Sequence, residues 1–147
     1  MKLLFVNPSL RLNHPYKLLP VGLAMVMTFV EENGFEFDLL DIDINDISND
    51  DVAKFIENNH YNVILFGTIV THYKWVKWFC KKIKFYHPDT KIIVGNSVAG
   101  SCIDVFMKNV PADFAIIGEG EITLLELLDT LRKNKDVRGI EGISYRN

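Results

Sequence analysis

The strongest constraint on the fold of this sequence is a regular alternation. Short apolar runs, most closed by glycine or by Asn-Pro, take turns with segments of helical period. Lys2 to Val6 is the first run, bounded by Asn7-Pro8. Val21 to Asn33 is helical, with Gly34 where a C-cap glycine belongs. Apolar residues almost encircle that helix, so cover on more than one side is expected. Phe35 to Asp41 sets Phe35, Phe37 and Leu39 against Glu36 and Asp38, the pattern of a strand with one polar face. Asn49 or Asp50 is placed to cap a short helix that carries Val52, Phe55 and Ile56 on one face. Tyr61 to Phe66 is a continuous apolar strand ending at Gly67. Tyr73 to Tyr86 is helical and stopped by His87-Pro88. Lys91 to Val94 is a strand ending at Gly95, Ser101 to Asn109 a helix, and Asp113 to Ile117 a strand ending at Gly118. Ile122 to Asn134 is a leucine-rich helix, and Val137 to Arg146 a last extended segment with Gly139 and Gly142.

Strand-helix units in series specify an α/β fold: a doubly wound, three-layer, Rossmann-like parallel sheet of five strands with helices on both faces. The expected order is 2-1-3-4-5, the flavodoxin-like order, with the C-terminal extended segment added. Ligands of such sheets sit beyond the carboxyl ends of the strands, where the order reverses. That rule selects four loops: Asn7–Pro20, Gly67–His72, Gly95–Gly100 and Gly118–Glu121. Ser9, Thr68, Asn96 and Glu119 are then expected at one end of the sheet.

Composition narrows the classes further. At 147 residues, with 48% hydrophobic and 24% charged, the chain is a single globular domain. A net charge of -3 argues against broad capture of nucleic acid. The longest apolar stretch, Val21 to Val30, is about half the roughly 20 residues that a bilayer span needs. No secretory signal opens the chain, and a cytoplasmic setting is expected. Cys80 and Cys102 form neither a CxxC pair nor a zinc cluster and read as reduced, mostly buried thiols. No Lys or Arg lies between Leu18 and Ala53, which makes an acidic edge around strand 2; charge there discourages edge-to-edge association.

The first loop, Asn7 to Pro20, is 14 residues long, beyond the usual two to six or so. It has no Walker lysine, no GxGxxG and no flavin-type phosphate cradle. His14 is a lone loop histidine, and His72 has no nearby Asp, Glu or Cys in sequence, so no catalytic residue is assigned. For Thr68 and Thr71 two readings stand: hydrogen bonds to ligand amides, or caps on the next helix. Gly95-Asn96-Ser97 is small enough for close approach by a flat ligand. Gly118-Glu119-Gly120-Glu121 opens the last helix with carboxylates, which disfavours phosphate and suits a ligand rich in hydrogen-bond donors; helix capping alone is the other reading. In the Tyr73–Tyr86 helix Val76, Phe79, Cys80 and Ile83 form the core stripe, while Trp78 and Phe85 fall among lysines on the other side. Both are expected to be partly exposed, as a docking surface for protein rather than nucleic acid.

Taken together these residues resemble the cobalamin (B12)-binding domain of radical S-adenosylmethionine proteins. Pro20-Val21-Gly22-Leu23, Glu32-Asn33-Gly34-Phe35-Glu36-Phe37 and Asp41 are similar to its opening "P-x-G-L…G-x-E-V…D". Thr68-Ile69-Val70-Thr71 resembles its S/T-x-x-T loop. Pro88 to Asn96 resembles "P…V-G-G", with Asn96 in place of the second glycine. Asp113 to Thr123 is similar to its most specific signature, "D…G-E-G-E-x-T", and Ile140 to Arg146 matches "I-x-G-I-x-Y-R". The resemblance covers nearly the whole chain.

It implies a cobalamin site drawn from Ser9, Thr68, Thr71, Gly95, Asn96, Ser97, Gly118, Glu119 and Gly120. The methionine-synthase type carries Asp-x-His-x-x-Gly, whose histidine binds cobalt. Here Leu12 and Lys17 flank His14 at the Asp and Gly positions, so cobalamin with no histidine ligand, and no metal ligand from the protein, is expected. It also implies that residues 1–147 form one N-terminal domain of a longer protein, whose downstream radical domain would carry S-adenosylmethionine and a 4Fe-4S cluster. Methyl transfer or related radical chemistry would belong to that parent. Trp78 and Phe85 would pack against the downstream part or a second copy. The alternative is a degenerate domain that binds no cofactor and docks on the radical domain.

Overall fold

The computed structural model describes residues 1–9, 15–95 and 102–146. Among the described residues six strands form one sheet in the order β2-β1-β3-β4-β5-β6. They are β1 (Leu3–Asn7), β2 (Phe37–Asp41), β3 (Val63–Gly67), β4 (Lys91–Gly95), β5 (Phe114–Ile116) and β6 (Ile143–Tyr145). The first five are mutually parallel, as expected, with Leu3 paired to Phe37 on one side and Val63 on the other. The C-terminal segment adds something its pattern did not disclose. Ile143–Tyr145 pairs antiparallel with β5, Phe114 opposite Tyr145 and Ile116 opposite Ile143. Arg146 fastens this edge by donating to the carbonyls of Val110 (2.7 Å), Ala112 (3.1 Å) and Met107.

The α-helices among the described residues are α1 (Val21–Glu32), α2 (Asn49–Asn58), α3 (Tyr73–Tyr86), α4 (Ile103–Asn109) and α5 (Glu121–Arg132). The strands are apolar on both sides because both sheet faces are covered. Leu4, Val6, Ile64, Phe66, Ile92 and Val94 meet α2, α3 and α4 on one face. Leu3, Phe5, Leu65, Ile93, Phe114 and Ile116 meet α1 and α5 on the other. The core stripe of α3 is as the spacing predicts, with Val76, Phe79, Cys80 and Ile83 all buried. Trp78 is half-buried and Phe85 is exposed, in line with their position off that stripe.

Three expectations need correction. The cap of α2 is Ser48, not Asn49 or Asp50: its extended backbone lets the Ser48 hydroxyl accept from the Asp51 N–H at 3.2 Å. Asn49 instead accepts from the Trp75 indole N–H. Helix α1 is not covered on several sides; only Val30 of it is buried, while Val21 and Met25 stand in the open. Of the two cysteines Cys80 is buried, but Cys102, just ahead of α4, is exposed. In β2, at the edge of the sheet, Leu39 is exposed as well.

Candidate functional site

The order reverses between β1 and β3: from β1 the chain moves outward to β2 and then returns past β1 to β3. A cleft of about 380 Å³ opens beyond the carboxyl ends of the strands at this reversal. Its floor is apolar, with Phe5, Leu65, Ile93 and Ile116 from four strands. Leu23 and Val26 of α1 make one wall and Leu124 of α5 the other. Its rim is polar or small, formed by Asn7, Thr68, Gly95, Gly118, Glu119 and Gly120. An apolar depth with a few polar groups at the mouth is the general form of a small-molecule site.

Thr68 is held by the sheet, because its N–H continues the β3–β4 ladder to the Gly95 carbonyl at 3.0 Å. Its side chain is buried, and its Oγ1 has no hydrogen-bond partner among the described residues. Neither Thr68 nor Thr71 caps a helix: the short 3-10 turn Val70–His72 and α3 both start without a side-chain cap. Capping of the next helix is therefore not the role of Thr68. Thr71 is exposed and does not line the cleft. His72 is buried with both ring nitrogens unpartnered among the described residues, and it too lies away from the cleft lining.

At the end of β5 the chain turns sharply. Gly118 has φ of 82°, a left-handed conformation that a side chain would strain. The turn leads through exposed Glu119 to Gly120, which starts α5 with no side-chain cap. The carboxylates of this run are thus not spent on capping. Gly95 has open space where a Cβ would be, and it opens onto the cleft.

The first loop is anchored by contacts that sequence reading missed. The Ser9 hydroxyl donates to Asp43 (2.9 Å), whose other oxygen accepts from the Leu18 N–H (3.0 Å). Asn7 donates through Nδ2 to Asp41 (2.9 Å) and to the Leu18 carbonyl (3.1 Å). Asp41 and Asp43 are both buried, although the sequence shows them only as part of an acidic edge. Their signal was present in the chain: two acids spaced by one residue at the end of a strand facing a long loop with Asn7 and Ser9. Ser9 is tied to Asp43 and does not line the cleft. Of the expected site residues, Thr68, Gly95, Gly118, Glu119 and Gly120 share one cleft, whereas Asn96, Ser97 and His14 lie outside the described residues.

The electrostatics hold no metal-type cluster: among the described residues no group of three His, Cys, Asp or Glu converges. No helix among them is long and apolar enough to cross a membrane.

Comparison with known proteins gives the same location a context. The chain is 32% identical over 124 residues to an uncharacterized protein of Methanocaldococcus jannaschii, which covers 84% of this chain and 22% of that protein. It is 30% identical over 131 residues to an uncharacterized methyltransferase of Pyrococcus horikoshii, covering 86% of this chain and 28% of the relative. The chain thus spans between a fifth and a third of these relatives. Among solved structures, its fold matches the radical S-adenosylmethionine methyltransferase TsrM of Kitasatospora setae, determined with cobalamin and a 4Fe-4S cluster bound. The TM-score is 0.84 at 18% identity, over 99% of this chain and 27% of that one. The B12 binding domain model matches residues 10–128, and the chain belongs to that family.

Proposed function

We propose that this chain holds cobalamin at the cleft, with no protein ligand below cobalt, as one module of a longer radical S-adenosylmethionine protein. The observation that carries the reading is the unpartnered, buried Thr68 Oγ1 beside a glycine-lined mouth at the strand-order reversal. The residues present fit the group. Ligand pockets run from about 300 to 1,000 Å³, so a cleft of about 380 Å³ takes one arm of a cobalamin and not its corrin ring. The narrow, apolar benzimidazole end of the nucleotide arm suits the floor of Phe5, Leu65, Ile93 and Ile116. The amide-edged corrin suits the rim.

Bound cobalamin supplies a cobalt centre able to carry a methyl group or to modulate radical chemistry. The chain's own residues bind and orient. Gly95, Gly118 and Gly120 allow close approach, Thr68 offers a buried hydroxyl, and Glu119 presents an exposed acceptor to amide donors. Asn96 and Ser97 complete the proposed set, while Ser9 and Thr71, which lie off the cleft lining, leave it. The apolar walls from α1 and α5 exclude water, and no residue is assigned an acid, base or nucleophile role.

The module would be covered from above by a downstream radical domain that carries S-adenosylmethionine and the iron-sulfur cluster. Val21, Val70 and Ile122, 74%, 76% and 76% exposed, lie in the first turn of α1, of the 3-10 turn after β3, and of α5. Exposed apolar residues gathered around a site mark a surface awaiting a partner. Phe85 and Trp78 would serve a separate contact, with the downstream part or a second copy. Methyl transfer by the parent and a cytoplasmic location belong to the same reading.

Titration with hydroxocobalamin, followed by absorbance and calorimetry, tests it. Binding is expected with a spectrum lacking imidazole ligation, unchanged in His14→Ala. An imidazole spectrum that disappears in His14→Ala overturns the ligand-free claim. No uptake by the chain or by a longer protein that contains it favours a cofactor-free structural domain.

A further inference from the structure

A second hollow, of about 430 Å³, opens between the ends of α3 and α4. Both helices return alongside parallel strands, so their last turns lie at the amino ends of β4 and β5, the opposite end of the sheet from the cleft. Every charged side chain in its lining is a cation: Lys81, Lys84, Lys108 and Arg146. Two of the four are committed to the fold. Lys84 pairs with Asp113 at 2.8 Å and donates to the Thr90 carbonyl at 2.7 Å. Arg146 donates to the carbonyls of Met107, Val110 and Ala112. Lys81 and Lys108 are exposed and have no acidic partner among the described residues; Asp113, held by Lys84, is already shared with Lys91. The same hollow holds Phe85, which is 78% exposed and rests edge-to-face on Tyr86 with ring centroids 5.1 Å apart.

A phenyl ring left in water beside unpaired ammonium groups is the makeup of a contact that another molecule completes. Charge complementarity sets the chemistry of that molecule. Two free lysines match a short acidic peptide better than a phosphate backbone, whose affinity grows with the number of charges neutralised. A second copy is a poor match. In its acidic stretch Asp38, Asp46 and Asp51 already pair with Lys2, Lys17 and Lys54, while Asp41 and Asp43 are buried.

We infer that the hollow between α3 and α4 is a docking site for an acidic segment of a separate partner protein, with Phe85 packing on one bulky apolar side chain of that segment and Lys81 and Lys108 meeting its carboxylates. This goes beyond the reading above, in which Phe85 meets the downstream part or a second copy. It does not depend on cobalamin, so the two stand or fall separately.

The test is fluorescence anisotropy on the chain with two labelled peptides, one a leucine flanked on each side by three glutamates, the other with glycine in place of the leucine. The leucine peptide is expected to bind more tightly than the glycine peptide, and both more weakly as salt rises. Phe85→Ser should remove the difference between the peptides, a loss of roughly tenfold for the leucine peptide, and leave the salt dependence in place. Lys81→Glu combined with Lys108→Glu should weaken both peptides and remove the salt dependence. All three substitutions are at exposed positions, so an unchanged thermal midpoint is expected and serves as the folding control. Lys135→Glu, after α5, should change neither peptide. Several outcomes overturn the inference: no binding up to about 1 mM peptide, equal affinity for the two peptides, or an equal loss in Lys135→Glu. Tighter binding of a single-stranded RNA of the same charge would assign the hollow to nucleic acid instead. Self-association in sedimentation velocity that disappears in Phe85→Ser would assign it to a second copy. Peptide binding that is lost in a longer protein containing this chain would assign it to the downstream part.

Discussion

The two faces of the sheet are built from similar material and finished differently. On one, α3 lays Val76, Phe79, Cys80 and Ile83 flat against the strands and seals them. On the other, α1 is nearly as long, 12 residues against 14, and more apolar around its circumference, yet it buries only Val30 at its far end. Leu23, Val26 and Met27 in its first turns are only partly buried against the core, and Leu23 and Val26 line the cleft together with Leu124 of α5. Fully burying such a side chain stabilises a fold by about 1.5–3 kcal/mol, so α3 holds several times what α1 does. The apolar surface that α1 does not use for stability is the surface a ligand or a covering domain would bury.

The largest effect that would sharpen this contrast is a pair of truncations. Phe79→Ala should lower stability by about 3–5 kcal/mol, since the ring is fully buried and its site cannot collapse. Leu23→Ala, on the cleft wall, should cost under about 1 kcal/mol, as an incompletely buried side chain leaves no closed cavity, and should weaken cobalamin binding. Urea denaturation with ligand titration reads both. Equal stability losses would break the contrast.

A smaller effect separates two glycines of the open end. Gly118→Ala should cost roughly 1–2 kcal/mol, because its φ of 82° is left-handed. Gly95→Ala meets nothing within 4 Å and should leave the thermal midpoint unchanged while it intrudes on the cleft and weakens the ligand. A stable Gly118→Ala would mean the turn relaxes into another conformation.

The sealed face also predicts an alkaline limit. Burial, helped by the hydrogen bond to Asp38 and that residue's charge, pushes the Tyr61 hydroxyl well above its ordinary range. The folded state then holds a proton that the unfolded state gives up near pH 10. Stability from this group is complete below about pH 10 and should fall as pH rises beyond it. Tyr61→Phe should flatten that part of the curve. A wild-type profile level to pH 11 would contradict it.

The smallest expected effect leaves stability untouched. Burial pushes the Cys80 thiol up, so it should resist alkylation in the native state, whereas exposed Cys102 should react within minutes. Mass spectrometry after iodoacetamide treatment should find one label, on Cys102. Labelling of Cys80 without denaturant would show that the sealed face opens.

Much of the architecture was legible because it depends on local pattern. Runs such as Ile64–Phe66 and Ile92–Val94 could be satisfied only as strands covered on both sides, and the glycines after them marked where the site would lie. The cap of α2 was misplaced by one or two residues, since Ser48, Asn49 and Asp50 are all competent caps and only backbone geometry chooses among them. The β6 pairing was not legible in a run of three residues between turns; it exists because β5 offers a free edge and Arg146 can reach three carbonyls at the end of α4. Asp41 and Asp43 looked like solvated edge charges, and their burial follows from where the first loop crosses the strand ends, a contact between residues some 25 to 34 positions apart.

By itself, then, the sequence determined the parallel α/β sheet, its strand order and the end at which a ligand belongs, because period, turn residues and the handedness of crossovers act locally or by general rule. Only the tertiary structure decided that α1 buries just Val30 fully, that Ser9 is committed to Asp43, and that Asn7 and Thr68 keep oxygens with no partner among the described residues. Those outcomes depend on which side chains meet across the fold, and a hydrogen bond made or missed between distant segments leaves no period in the chain.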